Sequence, residues 1–117
     1  MKQVIVMRKD LDMRSGKIAV QAAHAATMWL FMGIEGTEQI ARRWAEESAL
    51  MKVCVRVNSE AELLEVAEKA HAAKLIVVPI RDAGRTAFHG VPTMTCCAIG
   101  PADDDAVDAI TGALKLF

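Results

Sequence analysis

The sequence predicts an α/β protein, a three-layer α/β/α sandwich around a small four-stranded mixed sheet. Three observations predict it. Apolar runs at residues 3–8, 51–57, 75–80 and 93–99 have strand length and are bounded by turn signals. Segments of helical length separate the first three runs, so the order reads strand, two helices, strand, helix, strand, strand, helix. Strand–helix–strand units make parallel pairs with right-handed crossovers, whereas the short link before the last strand requires one antiparallel pair.

Taken in order, residues 3–8 (QVIVMR) form a buried strand and residues 9–15 (KDLDMRS) a polar loop. Ser15 is placed to cap a helix from Gly16 to about Met32, ended by Gly33 and Gly36. Thr37 is placed to cap a second helix, 38–48, which carries Ile40 and Trp44. Residues 51–57 (MKVCVRV) alternate and form the second strand. Ser59 and Glu62 make a capping box that opens a helix over 60–73. Residues 75–80 (LIVVPI) are the third strand, 81–92 a loop with Gly84, Gly90 and Pro92, and 93–99 (TMTCCAI) the fourth strand. Gly100 and Pro101 turn the chain into a last helix, 102–113, whose first-turn aspartates suit the helix dipole.

With 117 residues, no repeats and no linker, the chain reads as one domain, 1–117. Apolar residues at 53 % and charged residues at 25 % exclude disorder as the main state. The longest nearly apolar stretch, Ala25 to Ile34, falls short of the roughly 20 residues that cross a bilayer. No secretory apolar region follows the first residues, so the expectation is a soluble, cytoplasmic protein without a membrane partner. A net charge of −1 excludes nucleic-acid binding by bulk charge but not by a local patch. The first twenty residues hold five basic side chains (Lys2, Arg8, Lys9, Arg14, Lys17) against Asp10 and Asp12. Cys54, Cys96 and Cys97 have no metal or redox spacing and read as small buried hydrophobes.

The first helix is apolar nearly all round except for Lys17, Gln21 and His24. These sit at i, i+4 and i+7, within about 60° of one another about the axis. Such a stripe is a wet edge or the wall of a cleft. Lys17 lies where the helix dipole disfavours a cation, and free backbone N–H groups beside a lysine make an anion site. Arg14, with Arg8 and Lys9 one step back, extends it toward a polyanion backbone. The segment Arg81-Asp82-Ala83-Gly84-Arg85-Thr86 begins where the third strand stops. Ligands of open α/β sheets bind at the carboxyl ends of parallel strands, so Asp82 and Lys17 should share one rim, with Thr95 nearby. Asp-x-Gly is also a sufficient turn by itself. His71 reads as a helix-flank residue, and His89 sits in a loop with no partner motif. Neither metal-ligand spacing, G-x-S-x-G nor a P-loop is present. Hydrolysis here would use polar side chains and a water.

The runs MRKDLDMRSGKIAVQAAHAA, IRDAGRT, TCCAIGPA and the closing TGALKLF resemble the type 2 peptidyl-tRNA hydrolase family over essentially the whole chain. The resemblance implies cleavage of the ester between a peptide and the 3′ end of tRNA, without metal or other cofactor, by a commonly dimeric α/β protein. It implies Lys17, Gln21, Asp82 and Thr95 as catalytic residues. Arg8, Arg14, His24, Arg85 and Thr86 are the expected substrate contacts, and peptidyl-tRNA and a second copy of the chain the expected partners. Two segments depart from the family pattern: Met13-Arg14-Ser15-Gly16-Lys17 replaces a small-residue loop, and Cys96-Cys97-Ala98 replaces aliphatic residues and glycine. The alternatives are a catalytically silent module of the same fold, gripping RNA or protein, and an ester or amide hydrolase acting on another substrate.

Overall fold

A computed structural model describes residues 1–85 and 87–117. Strands β1 (Lys2–Arg8), β2 (Lys52–Val57), β3 (Val77–Asp82) and β4 (Thr93–Ala102) form one sheet in the order β2-β1-β4-β3. Helices α1 (Ser15–Met28) and α2 (Thr37–Ser48) cover one face, and α3 (Glu60–Ala72) and α4 (Asp104–Thr111) the other. Strand alternation divides the core. Val4, Val6, Cys97 and Ile99 meet Leu63, Val66, Ala70 and Val107 on one side. Ile5, Met7, Cys96 and Ala98 meet Ala25, Ala26, Trp29 and Trp44 on the other. The two indoles meet edge to face at 6.3 Å.

The mixed sheet is as expected, but β3 does not join the parallel pair. Only β1 and β2 pair in parallel; β4 lies between β1 and β3 and is antiparallel to both. β4 takes the centre because it is apolar along nearly its whole length, whereas β2 and β3 alternate as edge strands do. The chain end covers the outer edge of β2, where Leu116 bridges Val55 and Phe117 N–H donates to Cys54 O at 3.0 Å.

Several boundaries differ from expectation. Arg14, extended at φ −64° and ψ 154°, is the N-cap of α1, so Ser15 lies inside the helix and caps nothing. The helix also gives way to a 3-10 turn at Trp29–Phe31. There the Ala26 carbonyl accepts from the side chains of Gln3 (3.2 Å) and Trp29 (3.0 Å), which compete with the helix ladder. Gly36, at φ 79°, precedes α2, and the Thr37 hydroxyl donates backwards to Ile34 O instead of capping. The Ser59 cap forms, with Glu62 N–H donating to Ser59 Oγ at 3.0 Å.

β3 starts two residues later than expected because α3 closes in a Schellman motif around Lys74, at φ 61°. Leu75 N–H returns to Ala70 O (3.1 Å) and Lys74 N–H to His71 O (2.9 Å). Arg81 and Asp82 are therefore strand residues. β4 runs on through Gly100 and Pro101, which the sequence reads as a turn. An extra residue there shifts its register against β1, and a Cβ on Gly100 would sit 2.8 Å from Lys2 O.

Candidate active site

β1 and β3 both run antiparallel to β4, so their carboxyl ends and the start of β4 meet at one rim. α1 begins at that rim after the loop 9–14. Four polar side chains converge there in two pairs. Lys17 Nζ donates to Asp82 Oδ1 at 2.5 Å, with the two side chains 24 % and 13 % exposed. Asp82 Oδ2 accepts the Gly84 N–H at 2.9 Å, so one carboxylate both shapes the turn and holds the lysine. The hydrogen bond from Lys17 holds the Asp82 carboxyl below its ordinary value, against partial desolvation, assisted by the Gly84 N–H and the Lys17 and His24 charges. Asp82 in turn offsets the unfavourable position of a cation at the start of α1.

One turn along α1, Gln21 is buried, and Thr95 on β4 is wholly so. The Thr95 hydroxyl donates to Gln21 Oε1 at 2.5 Å. That separation suits O–H···O and is too short for a typical N–H···O bond, so the amide turns its oxygen inward and keeps its N–H groups for another acceptor. Cys96 Sγ lies 3.6 Å from Gln21 O and packs beneath the pair. Burial raises the Cys96 thiol to about 11 and the Cys97 thiol to about 12, and raises that of half-buried Cys54, so all three stay protonated near neutrality.

The remaining expected contacts are distributed unevenly. Arg8 is committed to Asp10, in two hydrogen bonds of 3.1 and 2.7 Å, and to Met94 O at 3.0 Å. Arg14, His24 and Arg85 are exposed near the rim, and Thr86 lies outside the described residues. An open groove of about 870 Å³ runs past Arg14 and Lys17, with Met13 and Val20 on one side and Phe88 and His89 on another. Of the four paired residues Lys17 lines it; Asp82, paired with Lys17, and the buried Gln21 and Thr95 are not part of its wall. Sequence reasoning did not place Phe88 or His89 at the groove. A loop carries no periodic signal, and the available hint was an aromatic between turn residues in a chain only 4 % aromatic. Among the described residues no group of three or more His, Cys, Asp or Glu side chains is disposed to hold a metal ion.

Fold and site together define an α/β protein with paired polar groups at the carboxyl rim of a mixed sheet, facing a groove with cations on its wall. A family model described as Peptidyl-tRNA hydrolase PTH2 matches residues 1–117. The chain is 48 % identical to a peptidyl-tRNA hydrolase of Aeropyrum pernix, over 99 % of this chain and 95 % of the relative. It is 49 % identical to one of Halobacterium salinarum, over the full length of both. It is 41 % identical to a probable peptidyl-tRNA hydrolase 2 of Drosophila melanogaster, over 99 % of this chain and 61 % of that one. The chain belongs to this peptidyl-tRNA hydrolase family, whose enzymes hydrolyse the ester bond in peptidyl-tRNA.

Proposed function

We propose that this chain, acting as one domain over 1–117, hydrolyses the ester between peptide and tRNA at the rim where α1, β3 and β4 meet. Water adds to the ester carbonyl, the peptide leaves as a carboxylate, and the 3′ hydroxyl of tRNA is restored. The observation that carries the reading is the convergence of Lys17–Asp82 and Gln21–Thr95, each pair at 2.5 Å, beside one groove. Lys17 supplies the positive charge that the developing oxyanion needs. Gln21, whose Oε1 is taken by Thr95, keeps its amide N–H groups to orient the carbonyl or the water. Thr95, wholly buried, is a positioning residue that acts through Gln21. Asp82 is ionised near neutrality. A base held so far below the working pH is weak, so its main contribution is to aim Lys17. Arg14, His24, Arg85 and Thr86 are the proposed contacts to tRNA. Arg8, tied to Asp10 and Met94, orders the loop that presents Arg14.

The same proposal makes the working form a cytoplasmic homodimer. No helix is long and apolar enough to cross a membrane among the described residues. The last turn of α1 and the 3-10 turn after it expose Met28, Leu30, Phe31 and Met32, with Phe31 84 % exposed, an apolar patch suited to a second copy. The test is release of tRNA from N-acetyl-aminoacyl-tRNA by purified protein in EDTA, with free aminoacyl-tRNA largely spared. Dependence on added metal would overturn the metal-free chemistry. No release under any condition would overturn the proposed chemistry at this rim.

A further inference from the structure

Between β3 and β4 the backbone makes a left-handed turn at Phe88, His89 and Gly90, with φ of 58°, 51° and 77°. Glycine accepts such angles, but a bulky side chain there is an outlier, and outliers persist only where surrounding structure enforces them. Here it does. Val91 N–H donates to Phe88 O at 2.9 Å. Gly84 packs so tightly on the turn that a Cβ would lie 2.7 Å from Val91 O. Gly84 is itself fastened to Asp82, so the carboxylate that aims Lys17 also anchors this turn.

Packing does not account for Phe88. It joins neither core cluster and is only half-buried. Lys17 Nζ stands over its ring, 5.8 Å from the centre. The ring and His89 line the main groove and also a second cavity of about 460 Å³, which Gly84 and Arg85 share. An aromatic ring is thus held between two open spaces, with one lysine over it and arginines on the walls of both. Unstacked bases of single-stranded RNA are bound in this way, by an aromatic face for the base and cations for the phosphates.

We propose that the Phe88 ring is a stacking platform for the terminal base of the substrate's 3′ end. The base enters the cavity shared with Arg85 while its ester faces Lys17 across the ring. This rests on the reading of the chain as acting on peptidyl-tRNA, whose acceptor end is a single-stranded CCA.

Two measurements test it. In the first, Phe88→Trp is titrated by fluorescence with the trinucleotide CCA and with the same trinucleotide lacking its 3′-terminal base. Trp29 and Trp44, 0 % and 5 % exposed in the core, give a constant background. Quenching by CCA, at least about tenfold weaker without the terminal base, is expected. In the second, Phe88→Leu should raise KM for N-acetyl-aminoacyl-tRNA by about 5- to 100-fold with little change in kcat, while Phe88→Trp stays near wild type. Equal quenching by both trinucleotides, no quenching, or wild-type KM in Phe88→Leu overturns the platform. If Phe88→Leu does not fold, the Trp titration decides. Base-dependent quenching in a protein that hydrolyses nothing keeps the platform and rejects the hydrolase reading. Hydrolysis with base-independent quenching does the reverse.

Discussion

Thr95→Val isolates a single proton. The Thr95 hydroxyl has three acceptors in reach: Gln21 Oε1 at 2.5 Å, Ile80 O at 3.4 Å and Cys96 Sγ at 3.8 Å. Distance assigns its hydrogen to Gln21. Valine fills the same volume, so no cavity opens, but Gln21 Oε1 loses its donor in a site where the residue is 3 % exposed. An unsatisfied buried acceptor costs about 1–3 kcal/mol. For 117 residues the unfolding entropy makes each kcal/mol worth about 4 °C, so Tm should fall by about 4–12 °C. The freed amide can rotate, and a misaimed donor lowers kcat by up to about 100-fold with KM nearly unchanged. Thermal unfolding and steady-state cleavage of N-acetyl-aminoacyl-tRNA measure the two effects. Gln21→Leu added to Thr95→Val should restore most of the lost stability, since removing both partners is nearly neutral, but none of the activity. Wild-type kcat in Thr95→Val would refute the reasoning and make the pair a packing feature only.

Asp82→Asn should lower kcat by about 100- to 1,000-fold, because Lys17 loses its aim, while circular dichroism stays native. Lys17 lowers the folded carboxyl below its unfolded value. Its stabilisation is therefore complete above about pH 4 and lost as pH falls through the lower folded value, so wild type and Asp82→Asn should converge in denaturant stability only on that acid side. Arg14→Ala should flatten the dependence of log tRNA affinity on log salt by about 0.7–1 and raise KM more than it lowers kcat; parallel lines in a filter-binding series would remove Arg14 from the interface. At pH 8 a thiol reagent should modify half-buried Cys54 first. Cys96 and Cys97, raised to about 11 and 12, should react only on unfolding, and fast labelling of either would contradict their burial.

The elements whose signal is local were legible in the sequence. The Ser59–Glu62 box starts α3 as it should, and strand alternation identifies which residues fill each core. The failures are at ends where tertiary contacts replace the expected residue. Lys74 closes α3 in a Schellman motif normally given to glycine, so nothing marked the late start of β3. The early end of α1 depends on Gln3, 23 positions away, reaching the Ala26 carbonyl, a contact that no window can register. Gly100-Pro101 reads as a turn but serves as a bulge, because β1 passes close enough to exclude a side chain. At the site, the polar stripe of α1 and the Asp82 turn were visible by spacing, but their pairing was not. Asp82 does make the expected turn, with one oxygen on Gly84 N–H, and its other oxygen holds Lys17.

That double use changes the meaning of the basic N-terminal segment. As a sequence, its five cations suggest a patch waiting for a polyanion. In the fold, Lys2 pairs with Asp108 at 2.6 Å, Arg8 with Asp10 and Lys17 with Asp82, and Lys9 lies over the Phe117 ring. The acidic start of α4 is answered in the same way, by the N-terminal amine on Asp104 and by Arg43 on Asp103. The charge asymmetry of the two chain ends is therefore largely internal, drawn together by the pairing of β1 with β4. The contacts proposed above are accordingly short-range: Arg14 and Arg85 at the groove, the Phe88 ring for a base, and Lys17 aimed by Asp82. Short-range contacts of this kind suit the proposed reading, since the acceptor end is common to every tRNA and the ester is there.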